Sequence, residues 1–161
     1  MEKRRLTTLR FITVVLILAL FSGCTTPVGR VRTAKVEGKG TTKVYPVSPD
    51  QAYLITKATF GWLAARSIDD HRSKGHMIAW MQFLVGTQGL QMYTVSVPIG
   101  AWVEKVDQDN TRVTVVTQPP TGSNSEMVGR LSRQEIAFQK YFAGAVEIIK
   151  RGERLPAKPP E

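Results

Sequence analysis

Thr94-Val-Ser-Val-Pro-Ile-Gly-Ala-Trp-Val103 is the stretch that decides the fold. Val95, Val97, Ile99, Ala101 and Val103 fall on one side of an extended chain, and Thr94, Ser96, Pro98, Gly100 and Trp102 fall on the other. A period of two is that of a strand buried on one face. Pro98, Ile99 and Gly100 predict a bend or bulge within it. Asp107-Gln-Asp-Asn110 supplies turn residues, and Arg112-Val-Thr-Val-Val-Thr117 answers as the antiparallel partner. Upstream, Arg66-Ser-Ile-Asp-Asp-His71 and Gly75-His-Met-Ile-Ala-Trp-Met-Gln-Phe-Leu-Val85 flank Arg72-Ser-Lys-Gly75, a second hairpin closed at Gly75. Lys43-Val-Tyr-Pro-Val47 is a further short strand, which Pro46 assigns to a sheet edge or to its own end.

Two helical patterns supply a cover for these strands. Ser48-Pro-Asp-Gln51 opens the first: Ser48 caps, Pro49 suits the first helical position, and Gln51 returns the bond of a capping box. Leu54, Ala58, Trp62 and Ala65, with Ile55 beside them, predict its buried stripe and an end near Ala65. Gly61 is a weak point in it. Residues 118–129 read as loop. Ser132-Arg-Gln-Glu135 then reads as a second capping box, followed by an apolar face of Phe138, Phe142, Ala145 and Ile149 that stops at Gly152, a C-cap. The order β-α-β-β-β-β-α predicts an α+β domain over residues 42–152, an antiparallel β-sheet covered by two amphipathic helices. Residues 153–161, with Pro156, Pro159 and Pro160, are expected to be disordered.

The chain has 161 residues, 22 Lys+Arg against 13 Asp+Glu, and one Cys. That is enough for one domain, and a single thiol closes no intramolecular disulfide. With only two His beside it, no metal and no cofactor is expected from the composition.

The N-terminus gives an address. Lys3, Arg4, Arg5 and Arg10 precede Phe11-Ile-Thr-Val-Val-Leu-Ile-Leu-Ala-Leu-Phe21, a basic region and an apolar run. At about 1.5 Å per residue the run covers about 16 Å, half of a hydrocarbon core of about 30 Å, so it is too short to span. It closes in Phe21-Ser22-Gly23-Cys24, which resembles the lipobox of bacterial lipoproteins, with Phe21 where Leu is usual. The resemblance implies cleavage after Gly23, a diacylglycerol on the Cys24 thiol and an acylated new amino group, so that residues 1–23 are a lipoprotein signal. Thr25 stands where an Asp would resemble an inner-membrane retention signal; the likeness thus points to the outer membrane, facing the periplasm. An ordinary secretory signal is the alternative.

Residues 24–41 read as a flexible basic tether. Arg30, Arg32, Lys35 and Lys39, with Lys43 just beyond, are candidates for attraction to anionic headgroups. For an exported protein a nucleic-acid partner is not expected.

Val44 to Asp50 leading into a helix, Ser67-Ile-Asp-Asp70 followed by Lys74-Gly-His-Met-Ile-Ala79, and Thr111-Arg-Val-Thr-Val115 resemble the small helix-grip domains of outer-membrane lipoproteins, including the C component of the barrel-assembly machinery. The resemblance implies a non-catalytic binding or assembly domain with an envelope protein partner. It transfers no active-site residue.

For chemistry, the chain contains no Gly-x-Ser-x-Gly, no Gly-rich phosphate loop and no His-Glu-x-x-His. The alternative of a small periplasmic enzyme rests on Asp69, Asp70 and His71, with His76 across the hairpin. In a strand Asp69 and His71 share a side, where a carboxylate could orient an imidazole. A glycan-binding module is a further alternative, and Trp102 is the indole expected to face outward; Trp62 and Trp80 are expected in the core.

Overall fold

The computed structural model describes residues 26–86 and 92–160. The alternating stretch lies in β4 (Met92–Lys105), which is flanked by β3 (His76–Gly86) and β5 (Thr111–Thr117). β1 (Thr41–Tyr45) and β2 (Arg66–His71) complete a five-stranded antiparallel sheet of order β1-β5-β4-β3-β2. Val97, Ile99, Ala101 and Val103 of β4 pair across with Met81, Ala79, Met77 and Val113, and all of these are buried on one face. That face is covered by α2 (Pro49–Trp62) and α3 (Ser125–Lys150), with Phe60, Phe138 and Phe142 fully buried between helices and sheet. The expected α+β order is observed, and each element begins for a local reason. The Ser48 capping box is formed in both directions, and Gly75 closes the β2–β3 hairpin at φ 72°.

Several expectations are corrected. Of the tether expected over 24–41, the described residues 26–41 are largely helical: α1 (Pro27–Val36) buries Val31 and Ala34 against Trp102 and Val116 on the second face of the sheet. Pro27 stands in the first turn, where its missing N–H is no loss, and Thr26 Oγ1 accepts from Gly29 N at 3.1 Å. Gly38, at φ 73°, follows the helix and lets the chain turn back toward β1. Gly100 allows the close approach. A Cβ there would lie 2.5 Å from the Trp102 ring and 3.0 Å from Val31.

The C-terminal helix starts at Ser125, capped by Asn124 Oδ1 on Met127 N at 2.9 Å, and Gly129 does not break it. Ser132 is consequently interior and donates to Val128 O, while Glu135 reaches Thr117, accepting from its N and its Oγ1 at 2.6 and 2.7 Å. Burial pushes the Glu135 carboxyl above its ordinary value, against the pull of those two bonds. The buried stripe of α2 is Ala52, Ile55, Thr56, Thr59 and Phe60, and Leu54 is exposed. The two threonines can be buried because each hydroxyl donates to a backbone carbonyl four residues back, at 2.8 Å.

β4 shows no register break at 98–100; the irregularity lies in β2, between Arg66 and Asp69, where Ser67 has φ 49°. Pro98 is tolerated one residue beyond the last β4–β5 pair, where β4 has become an edge on that side. The segment expected to be a disordered tail is laid against the helices. Leu155 packs on the core, and Pro156 O accepts from Trp62 Nε1 at 3.1 Å.

Candidate functional site

The register lines up His71, His76, Trp102 and Thr114 across β2, β3, β4 and β5, on the face away from α2 and α3. The two imidazoles lie 4.9 Å apart between ring centroids, and His76 stacks on Trp102 at 5.8 Å with 19° between planes. His76 Nδ1 is 3.2 Å from Lys74 O, and its Nε2 is 3.5 Å from Arg32 Nη2 of α1. A guanidinium only donates, so this arrangement assigns the proton to Nδ1 and leaves Nε2 to accept. Burial holds the His76 pKa below its ordinary value; Arg32, His71 and Lys74 add to this, and the bond to the Lys74 carbonyl opposes it.

The cluster expected around His71 is only partly assembled. Asp69 shares the outer face with His71, and Asp70 points to the other. Asp70 Oδ1 accepts from Arg72 N at 3.0 Å. Among the described residues neither carboxylate hydrogen-bonds an imidazole. The row can stack rings and hold a neutral imidazole against a cation, but it does not set a base against an orienting acid.

The basic candidates are divided between the two faces. Arg30 Nη1 donates to Thr121 Oγ1 at 3.0 Å, Arg32 meets His76, Lys35 pairs with Glu104, and Lys39 pairs with Glu37 at 2.7 Å. Lys43 lies on β1 opposite Val113, on the side of the covering helices. Cys24 and residues 1–23, where the signal is expected, lie outside the described residues.

Trp80 corrects an expectation as well: its register with Pro98 puts it on the same outer face as Trp102. Trp102 itself is half-covered by α1, and Trp62 packs edge-on to Tyr141 at 6.5 Å.

Sequence reasoning missed a recess of about 230 Å³ where the β3–β4 hairpin meets loop 118–124, lined by Val85, Tyr93, Val95, Thr121 and Met127 among others. The available signal was the apolar Val85, Tyr93 and Val95 opposite a loop carrying Pro119, Pro120 and Gly122. Among the described residues no helix is long and apolar enough to cross a membrane, and no three His, Cys, Asp or Glu residues are grouped to hold a metal ion.

No protein-family model and no curated protein sequence matches the chain. Solved structures similar to it in part include the following two. One is the solution structure of the 18 kDa protein CC1736 from Caulobacter crescentus, 13% identical, covering 70% of this chain and 97% of that one with a TM-score of 0.43. The other is the crystal structure of the ZhuI aromatase/cyclase from Streptomyces sp. R1128, 12% identical, covering 72% of this chain and 98% of that one with a TM-score of 0.41.

Proposed function

We propose that the chain is a cell-envelope lipoprotein, held in the outer membrane by lipid on Cys24, whose folded part is a non-catalytic binding or assembly domain facing the periplasm. The observation that carries this reading is Phe21-Ser22-Gly23-Cys24 closing an uncharged run behind four basic residues. Two acyl chains or more satisfy the two-signal condition for stable anchoring, at about 0.8 kcal/mol for each buried CH₂.

Two structural features support a domain that works through its surface. In the middle of the domain the space between sheet and helices is filled by Phe60, Phe138 and Phe142, and the recess at Val85, Tyr93 and Met127 lies at the end of the β3–β4 hairpin. The polar row at His71 and His76 is not built around a carboxylate–imidazole pair.

Growth with labelled fatty acid tests the reading. Label should enter the wild-type chain and be absent from Cys24→Ser, which should accumulate as precursor or in soluble form. Equal incorporation into both would end the anchoring proposal.

A further inference from the structure

The β3–β4 hairpin outruns its own sheet. β2 stops pairing with β3 at Trp80, and β5 stops pairing with β4 at Ile99, so residues 81–86 and 92–97 pair only with each other. The inner side of this arm, Phe83, Val85 and Val95, packs against the core cluster to which Met127 and Leu131 of α3 belong, and Arg130 Nη1 donates to Leu84 O at 3.0 Å. Among the described residues of the outer part of the arm, Leu84 and Met92, on the face away from the helices, are 51% and 66% exposed, and Tyr93, on the inner face opposite Val85, is 50% exposed. Residues 75–103 contain no Asp, Glu, Lys or Arg in a chain that is 22% charged. Exposed apolar side chains on both faces of an uncharged projection make a surface that water solvates poorly.

α1 ties the N-terminus to the same pole. Lys35, near its C-terminal end, pairs with Glu104 at the far end of β4. Arg30, nearer its N-terminal end, bonds Thr121, which lines the recess together with Val85 and Tyr93. Cys24 stands two residues before Thr26, the helix cap, so the chain between them reaches about 7 Å at most.

We propose that Leu84, Met92 and Tyr93 of this arm form a membrane-contacting surface, and that the bilayer holding the Cys24 lipid is what covers them. The proposal rests on the lipoprotein reading for the position of the anchor. Apolar side chains and a tyrosine suit the headgroup boundary, and Arg30, beside Thr121 at the recess, lies where anionic headgroups would meet it.

The test uses the lipidated full chain in vesicles of phosphatidylethanolamine and phosphatidylglycerol, with an environment-sensitive fluorophore on Met92→Cys or, at the opposite pole, on Gln108→Cys. A lipid-borne quencher should quench the Met92 label severalfold more than the Gln108 label, and Leu84→Asp should reduce that difference severalfold while circular dichroism is unchanged. Equal quenching at the two poles overturns the proposal. So does shielding of the Met92 label that precedes vesicle addition and grows with protein concentration, which would assign the arm to a second copy of the chain. Intact mass reads the anchor separately. If no acyl group is present the lipoprotein reading fails, and the labelled Cys24→Ser chain with the same vesicles decides the arm alone: selective quenching at Met92 sustains it, and its absence overturns it.

Discussion

Phe142→Ala is the sharpest perturbation of the packing that holds this domain together. The ring is fully buried in α3, 4.5 Å from the Tyr45 ring of β1 and 6.0 Å from that of Phe138. It therefore joins the long helix to an edge strand and to the fully buried aromatic cluster in one contact set. Truncating a buried Phe to Ala costs about 3–5 kcal/mol, of which about 0.5–1.5 kcal/mol for each aromatic pair is a reasonable share. A domain of this size has about 5–15 kcal/mol in all. With a urea dependence of about 2 kcal/mol per molar, a loss of about 4 kcal/mol lowers the midpoint by about 2 M. Lys140→Ala is the control: it is exposed two residues away, and its change should stay below about 0.5 kcal/mol. Urea titrations of the chain from Thr25 onward, followed by tryptophan fluorescence, give both midpoints. Equal midpoints would refute the packing of α3 on the sheet.

Three further outcomes are expected. The fold favours neutral His76, so its contribution to stability is complete above the ordinary histidine value of about 6.5 and is lost as pH falls through the lowered folded value; comparing urea midpoints near about pH 7.5 and about pH 5 should show a decline that His76→Gln flattens, and identical slopes would contradict it. Gly100→Ala brings a methyl into the Trp102 ring and toward Val31, so limited proteolysis should cut the α1 segment earlier, at a cost of about 1–3 kcal/mol, whereas unchanged protection would mean that α1 does not dock there. His71→Ala should change stability by less than about 1 kcal/mol and leave any envelope phenotype intact; a null phenotype from folded, abundant protein would favour the enzyme alternative instead.

The strand pattern was legible because Val95, Val97, Ile99, Ala101 and Val103 stand at every second position; that residues 97–101 are all buried was not, because α1 covers the second face there. The Ser48 cap was legible because it is local. What escaped depended on partners distant in sequence. Pro27 and the nearby glycines resemble a linker until Val31 and Ala34 are seen against Trp102 and Val116, some seventy to eighty residues further on. Ser132 and Glu135 have the spacing of a capping box, yet Glu135 is drawn to Thr117 and the helix is already under way. Thr56 and Thr59 score as polar and are buried all the same, since their hydroxyls are satisfied within the helix. As for the candidate site, the shared side of Asp69 and His71 followed from strand geometry, but the stacking of His76 on Trp102 and its contact with Arg32 required the sheet order and the docking of α1.

The anchoring of this domain is tested most directly by tandem mass spectrometry of the N-terminal peptide from protein extracted out of membranes. The peptide should begin at Cys24 and carry a diacylglycerol on sulfur and an acyl group on the amino nitrogen. A peptide that begins at Met1, or one that begins elsewhere and holds Cys24 as a free thiol, would contradict it.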